Sequence, residues 1–376
     1  YYCAKKIWDI YLIFFEKALD LINPHGYTCF IIPIQTLHQP NCESLRDLLV
    51  NKTSIITIAD LSKLKVFKGV TVKNCIIVIN NRRKDNNFID IFQPSESKEL
   101  LLDPIRKWPQ AVAKNNPGVS LKLDLLSNKR ILCEKLELKS YRLDEICYVT
   151  FGMRSCAKGV GKGGKDRLIA NHANLKNAKP YLEGRDIKRY ALTPTGRYIN
   201  YIPSKMYSPR KPILFETRKI ISQSMLSKMR PIATLDLEGY YVEQSLVCII
   251  PHGIMTDETK IKSVPLEFIL GIINSQLEKF YFSTTIIDYS LGGGLIHATP
   301  GSQSKFIIPK SNQNSISSIV SLVDHILELH KRTPLTPYEQ EQLEREIAAT
   351  DAQIDRLVYD LYGLTDEEIK IVEGET

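Results

Sequence analysis

A chain of 376 residues with 43% hydrophobic, 24% charged and 9% aromatic residues has the composition of a folded protein of two or three domains, which excludes a mini-protein, a disordered chain and a fibrous rod. The longest apolar run, Ile10 to Phe15, meets Glu16 and Lys17 at once. No stretch approaches the roughly 18 residues a membrane helix needs, so a soluble, cytoplasmic protein is expected, with no membrane partner. The net charge of +8 is unevenly spread: residues 151–235 hold 18 Lys/Arg against 4 Asp/Glu, and residues 311–376 hold 5 against 14. A basic middle of that density suits a phosphate-bearing polymer, the alternative being a solvated basic face with no partner.

In chain order, apolar residues at 10, 13, 14, 18, 21 and 22 predict a helix over Asp9–Ile22, stopped by Asn23-Pro24-His25-Gly26. Tyr27–Pro33 is a continuous apolar run, as in a buried central strand. A helix follows at about Glu43–Val50. Strands at Ile55–Asp60 and Asn74–Asn80 are joined by too short a link for a crossover helix, which suits antiparallel pairing. Residues 81–125 are polar and punctuated by Pro94, Pro104, Pro109 and Pro117, and read as a segment crossing between domains. Short strands are then expected at Ile146–Phe151, Tyr198–Ile202, Lys219–Gln223, Tyr240–Glu243 and Leu246–Ile250, interrupted by one helix at Pro265–Phe282. Helices at Ile316–His330 and Tyr338–Tyr362, separated by Thr333-Pro334-Leu335-Thr336-Pro337, suit an antiparallel hairpin. In the second of these, Glu339, Glu341, Glu344 and Asp351 fall on the solvated side; the apolar side packs on the preceding domain or self-associates with another chain.

The eight cysteines form no C-x-x-C pair and read as reduced core thiols. The histidines show no ligand spacing, so no metal is expected. Gly159-Val160-Gly161-Lys162-Gly163-Gly164-Lys165 has the spacing of a nucleotide-binding loop up to its lysine, but Asp166 stands where a Ser or Thr must hold Mg²⁺. A basic loop whose glycines let phosphates approach fits better. Gly292-Gly293-Gly294 reads as a turn. The opening Tyr1-Tyr2-Cys3 has neither an initiator Met nor a signal pattern, and a fragment of a longer protein is expected.

Three segments stand in a telling order: Asp9–Leu19 leading through Asn23-Pro24-His25-Gly26 into Tyr27–Pro33, then Val66-Phe67-Lys68-Gly69-Val70-Thr71-Val72, then the strand Asn74–Asn80. They resemble the second half of the catalytic domain of the gamma-class N6-adenine DNA methyltransferases, the TaqI-like and type IIG restriction-modification enzymes. Pro180-Tyr181-Leu182-Glu183-Gly184-Arg185-Asp186-Ile187-Lys188-Arg189-Tyr190, Leu270–Leu277 and the closing Ile354–Thr365 resemble signatures of the C-terminal target-recognition domain of that family. The fold this implies is α/β followed by α+β: the second half of a Rossmann-like methyltransferase sheet over 1–105, incomplete here, a mixed DNA target-recognition domain over 126–310, and a helical hairpin over 311–376.

The resemblance also implies residue roles. An adenine amine is a poor nucleophile buried in the duplex, so the base must be flipped out and its lost stacking replaced. Phe67 matches the aromatic that stacks on that base in the family; by position alone it reads as core at a strand entrance. Phe14 matches a residue lining the adenine side of the S-adenosylmethionine pocket, although helical spacing alone makes it core. The Asn-Pro-Pro-Tyr motif of the family and its donor-binding glycine loop are absent, so this chain alone is expected not to methylate. Double-stranded DNA is the expected partner, through Arg154, Lys158, Lys162, Lys165, Arg185, Lys188, Arg189 and Tyr190, a mix of cations with an aromatic. The rival reading is a non-catalytic specificity protein serving a separate catalytic subunit.

Overall fold

The first helix, α1 (Ile10–Leu21), begins where the Asp9 carboxylate accepts the Ile10 N–H, and buries Leu12 and Phe15. It leads in the computed structural model to β1 (Tyr27–Pro33), α2 (Glu43–Lys52), β2 (Ser54–Asp60), β3 (Asn74–Asn80), β4 (Phe88–Phe92) and β5 (Arg106–Pro109). The structure describes all residues except 6–8, 65, 68–71, 95, 97–102, 115, 122–127, 158–167, 172, 175, 227–229, 256–263, 287–295 and 376. Contacts divide the chain into two compact units, Tyr1–Leu126 and Ser127–Thr376.

The smaller unit is a five-stranded sheet in the order β1-β3-β2-β4-β5. The expected antiparallel pairing of 55–60 with 74–80 forms, as β2 against β3, and β4 joins parallel to β2. Leu12, Phe15, Leu45, Leu49, Ile58 and Ile77 belong to one core with Trp108. Two expectations are corrected. β1 is not a central strand: it pairs with β3 on one side only among the described residues, and Tyr27, Cys29 and Ile31 are exposed along it. Residues 81–125 do not merely cross between domains, because β4, β5 and the buried Trp108 complete this unit. Their polarity misleads because it is used internally: the buried Gln110 amide donates to the Val50 and Thr53 carbonyls and accepts from the Ile55 N–H and from Asn87.

The larger unit carries α3 (Asn128–Leu138), then β6 (Cys147–Phe151), β7 (Arg154–Ala157), β8 (Ile169–Ala170), β9 (Ala178–Leu182), β10 (Tyr198–Asn200), β11 (Met206–Ser208), β12 (Lys219–Gln223), β13 (Ala233–Asp236), β14 (Tyr241–Val242) and β15 (Leu246–Pro251). One four-stranded antiparallel sheet runs β13-β12-β15-β6, and a second, mixed sheet runs β14-β9-β10-β8. Helices α4 (Leu266–Asn274), α5 (Gln276–Tyr281), α6 (Gln313–Leu329), α7 (Pro337–Tyr362) and α8 (Asp366–Glu373) follow. The single helix expected over 265–282 is broken at Ser275, which turns extended and caps α5 by accepting the Glu278 N–H on its hydroxyl. Ile319, Val323, Ile354 and Val358 of α6 and α7 share one core with Ile269 and Ile273 of α4. The apolar stripe of the tail is therefore spent inside its own unit, and α6 approaches α4 so closely that a Cβ on Gly271 would stand 2.9 Å from the Ile319 side chain.

Candidate functional site

The 180–190 signature is built around its acid. Asp186 is fully buried and accepts from the Glu183 N–H at 2.6 Å, from Arg197 at 2.5 Å and from the Thr195 hydroxyl at 3.2 Å. The Gly184 N–H donates to the Ser245 hydroxyl, and the Gln223 amide donates to the Gly184 carbonyl. A turn tied from beneath at so many points holds its other side chains outward. Arg185 stands 68% exposed, 3.6 Å from Glu183, and Lys188 is exposed beside it.

The next two residues turn the other way, a correction to the expected DNA-binding set. Arg189 donates to both carboxylate oxygens of Asp351 on α7, at 2.9 and 2.6 Å, and to the Asn274 carbonyl. Burial opposes its charge, but these hydrogen bonds overcome it and raise its pKa. Tyr190, left-handed at φ 59°, is 2% exposed in the core against α4, and burial pushes its hydroxyl pKa up. Asp351, expected on a solvated face, is the partner that draws Arg189 inward.

Other basic residues of the region are also paired inside the unit. Lys219 and Asp236 form a fully buried pair, Arg218 meets Glu267, and Lys179 meets Glu216 at 2.9 Å. Among the described residues, the exposed positive charge is carried instead by Arg154, Lys176, Arg185, Lys188, Lys205, Arg210 and Lys211. The Arg154 guanidinium lies over the Tyr207 ring, 4.9 Å from its centroid. Sequence reasoning missed Tyr207; an aromatic inside the basic run Lys205-Met206-Tyr207-Ser208-Pro209-Arg210-Lys211 was the available signal. Lys158, Lys162 and Lys165 lie outside the described residues, as do the 159–165 glycine run and Gly292-Gly293-Gly294.

In the smaller unit, β1 and β2 run in one direction and β3 returns, so the 61–73 connection sits at their carboxyl ends, where open α/β sheets take ligands. Phe67 in that connection is 46% exposed. Phe14 on α1 is 60% exposed and Ile10 61%, so the helical-spacing reading of Phe14 as core is corrected: the buried face of α1 runs through Leu12 and Phe15. An exposed aromatic ring beside an exposed isoleucine offers the flat apolar surface that an adenine ring requires.

Residues 179–291 match the TaqI-like C-terminal specificity domain, and residues 1–67 match the Eco57I restriction-modification methylase. The chain is a relative of restriction-modification methyltransferases that carry a recognition domain. It is 26% identical over 183 residues to the type II restriction enzyme and methyltransferase RM.Eco57I of Escherichia coli, a match covering 49% of this chain and 18% of that protein. Its fold is similar to that of the type IIL restriction-modification enzyme MmeI, solved in complex with DNA, at a TM-score of 0.57 and 13% identity, over 97% of this chain and 51% of that one. The chain thus spans a fifth to a half of the length of these relatives. The specificity-domain match takes in the Asp186-anchored turn, Arg185, Lys188 and Tyr207; the methylase match takes in Phe14 and ends on Phe67.

Proposed function

We propose that this chain is the C-terminal portion of a site-specific adenine-N6 DNA methyltransferase of the type IIG kind, from a restriction-modification or phage-defence system. It supplies sequence recognition and the target-base side of the active site. The observation that carries the reading is the order of the two matches on one chain, a methylase segment over 1–67 followed by a specificity domain over 179–291. A specificity protein serving a separate subunit has no need of the first. The strand order of the smaller unit fits the second half of a Rossmann-like sheet, and the open edge of β1 fits a sheet that continues. S-adenosylmethionine supplies the methyl group in such an enzyme; Phe14 and Ile10 fit one wall of its adenine pocket, and the exposed ring of Phe67 fits the face of a flipped base.

Duplex DNA binding by the 376-residue chain, measured against salt, tests the recognition half. Each phosphate neutralised contributes about −0.9 to the slope of log affinity against log salt, so a steep slope is expected, weakened by reversing Arg185, Lys188, Lys162 and Lys165 to Glu. A flat slope, or binding indifferent to those reversals, removes the reading. The chain alone should transfer no methyl group to adenine, whereas the protein extended by an Asn-Pro-Pro-Tyr-bearing segment should.

A further inference from the structure

The main-chain ladder of β7 against β11 contains an irregularity: Met206 pairs with Ala157 but Ser208 pairs with Arg154, so two residues of β7 stand opposite Tyr207. Bulges of this kind re-aim side chains. Here Met206 is buried while Tyr207 is 60% exposed, under the Arg154 guanidinium. The root of Arg154 is fixed as well. The Gly152 N–H donates to the Leu246 carbonyl, the Met153 N–H donates to the Val242 carbonyl, and Met153 is fully buried. A Cβ on Gly152 would meet the Val242 and Glu243 carbonyl oxygens at 2.3 and 2.5 Å, so the chain enters the strand by a route open to glycine alone.

The tip of Arg154 is held by a neutral group. Its Nε donates to the Gln244 side-chain oxygen at 2.9 Å. Arg189, Arg197 and Arg218, by contrast, each meet a carboxylate. Among the described residues no carboxylate is paired with Arg154, and neither of its Nη groups is hydrogen-bonded. An arginine clamped at root, ring and Nε, with its two-pronged end presented to solvent, has already lost the rotamer freedom that binding would otherwise cost. A phosphate can also be met by a flexible lysine acting as a point charge, whereas a flat acceptor pair calls for an oriented fork. In a duplex that pair is O6 and N7 of guanine in the major groove.

We propose that Arg154 is a specificity-determining residue that takes a guanine of the target duplex through its Nη groups, with Tyr207 and Gln244 as positioning residues. The proposal rests on the DNA-recognition reading above and adds to it a base and the three residues that read it.

Selection of bound duplexes from a randomised library by the 376-residue chain tests it, with the salt slope and thermal unfolding measured for every variant. Wild type should select a motif containing a guanine at which Arg154→Lys, which keeps the charge and loses the fork, drops the preference by about tenfold to a hundredfold with the salt slope unchanged. Gln244→Ala and Tyr207→Ala should weaken preference at that same position, and Tyr207→Phe should keep it. Lys188→Ala should lower affinity for all duplexes alike. Arg154→Lys selecting the wild-type motif overturns the proposal and leaves DNA recognition standing, as does a lower salt slope in Arg154→Ala with the motif intact, which makes Arg154 a phosphate contact. Loss of the preference accompanied by a fall in melting temperature in all three Arg154, Tyr207 and Gln244 variants also overturns it, in favour of a structural cluster. A chain that binds no duplex overturns both readings.

Discussion

Phe67 was readable from sequence as either core or base-stacking, and its 46% exposure speaks against a core role for this side chain. A core phenylalanine costs about 3–5 kcal/mol on truncation, whereas a surface change stays near 0.5 kcal/mol. Phe67→Ala should therefore barely move the melting temperature of the chain. In an extended, methylating protein the same change should reduce the methylation rate, with Phe67→Trp retaining more activity than Phe67→Leu, checked by single-turnover methylation. A second residue-scale expectation concerns carboxyls that no pattern could have flagged. Burial raises the Asp355 pKa to about 6, although its carboxylate accepts the Gln276 N–H at 2.7 Å. The folded chain then holds a proton that the unfolded chain, with an aspartate near pH 4, has released, so this residue withdraws stability as pH rises from about 4 to about 6. Asp355→Asn keeps the acceptor oxygen and should raise stability at pH 8 by roughly 1–2 kcal/mol while flattening that part of the profile in urea unfolding. Glu278 is the stronger case of the same sign: fully buried on α5, it has neither carboxyl oxygen in a well-formed hydrogen bond, and burial holds its pKa well above the usual range despite the nearby Ile307 N–H. Glu278→Gln should likewise stabilise the neutral and alkaline chain.

At the scale of elements, α7 is tied to the signature turn by Arg189 and Asp351, with Arg230 at 3.7 Å from the same carboxylate. The pair is mostly shielded from water, so Arg189→Ala should cost about 2–4 kcal/mol, and a double-mutant cycle with Asp351→Ala should recover a coupling of about 1–3 kcal/mol. A surface pair would return much less. Periodicity recovered the elements themselves well: β12 was placed on its observed residues, Lys219–Gln223, and α7 within one residue at its start, because long periodic runs carry their own signal. It failed where tertiary context decides. The Ser275 break interrupts an unbroken apolar stripe, the open edge of β1 hides in an apolar run that reads as central, and the buried polar hub at Gln110 makes core look like linker. The candidate site was legible in kind more than in place. Basic density marked a candidate region, and the structure separates Arg185 and Lys188, which face outward, from Arg189 and Tyr190, which do not.

For the whole molecule, each unit has its own core, so 127–376 expressed alone should unfold cooperatively near its transition in the intact chain, followed by calorimetry. Residues 1–126 alone should self-associate, since among the described residues β1 offers an unpaired edge with Tyr27 and Ile31 exposed along it. The larger unit also separates the parts that hold it together from the parts that face outward. Asp186 and Arg197 lie inside the turn whose exterior carries Arg185 and Lys188. Replacing the outer pair leaves the inner bonds untouched, so a lineage can drift through many outward-facing side chains without passing through an unfolded ancestor.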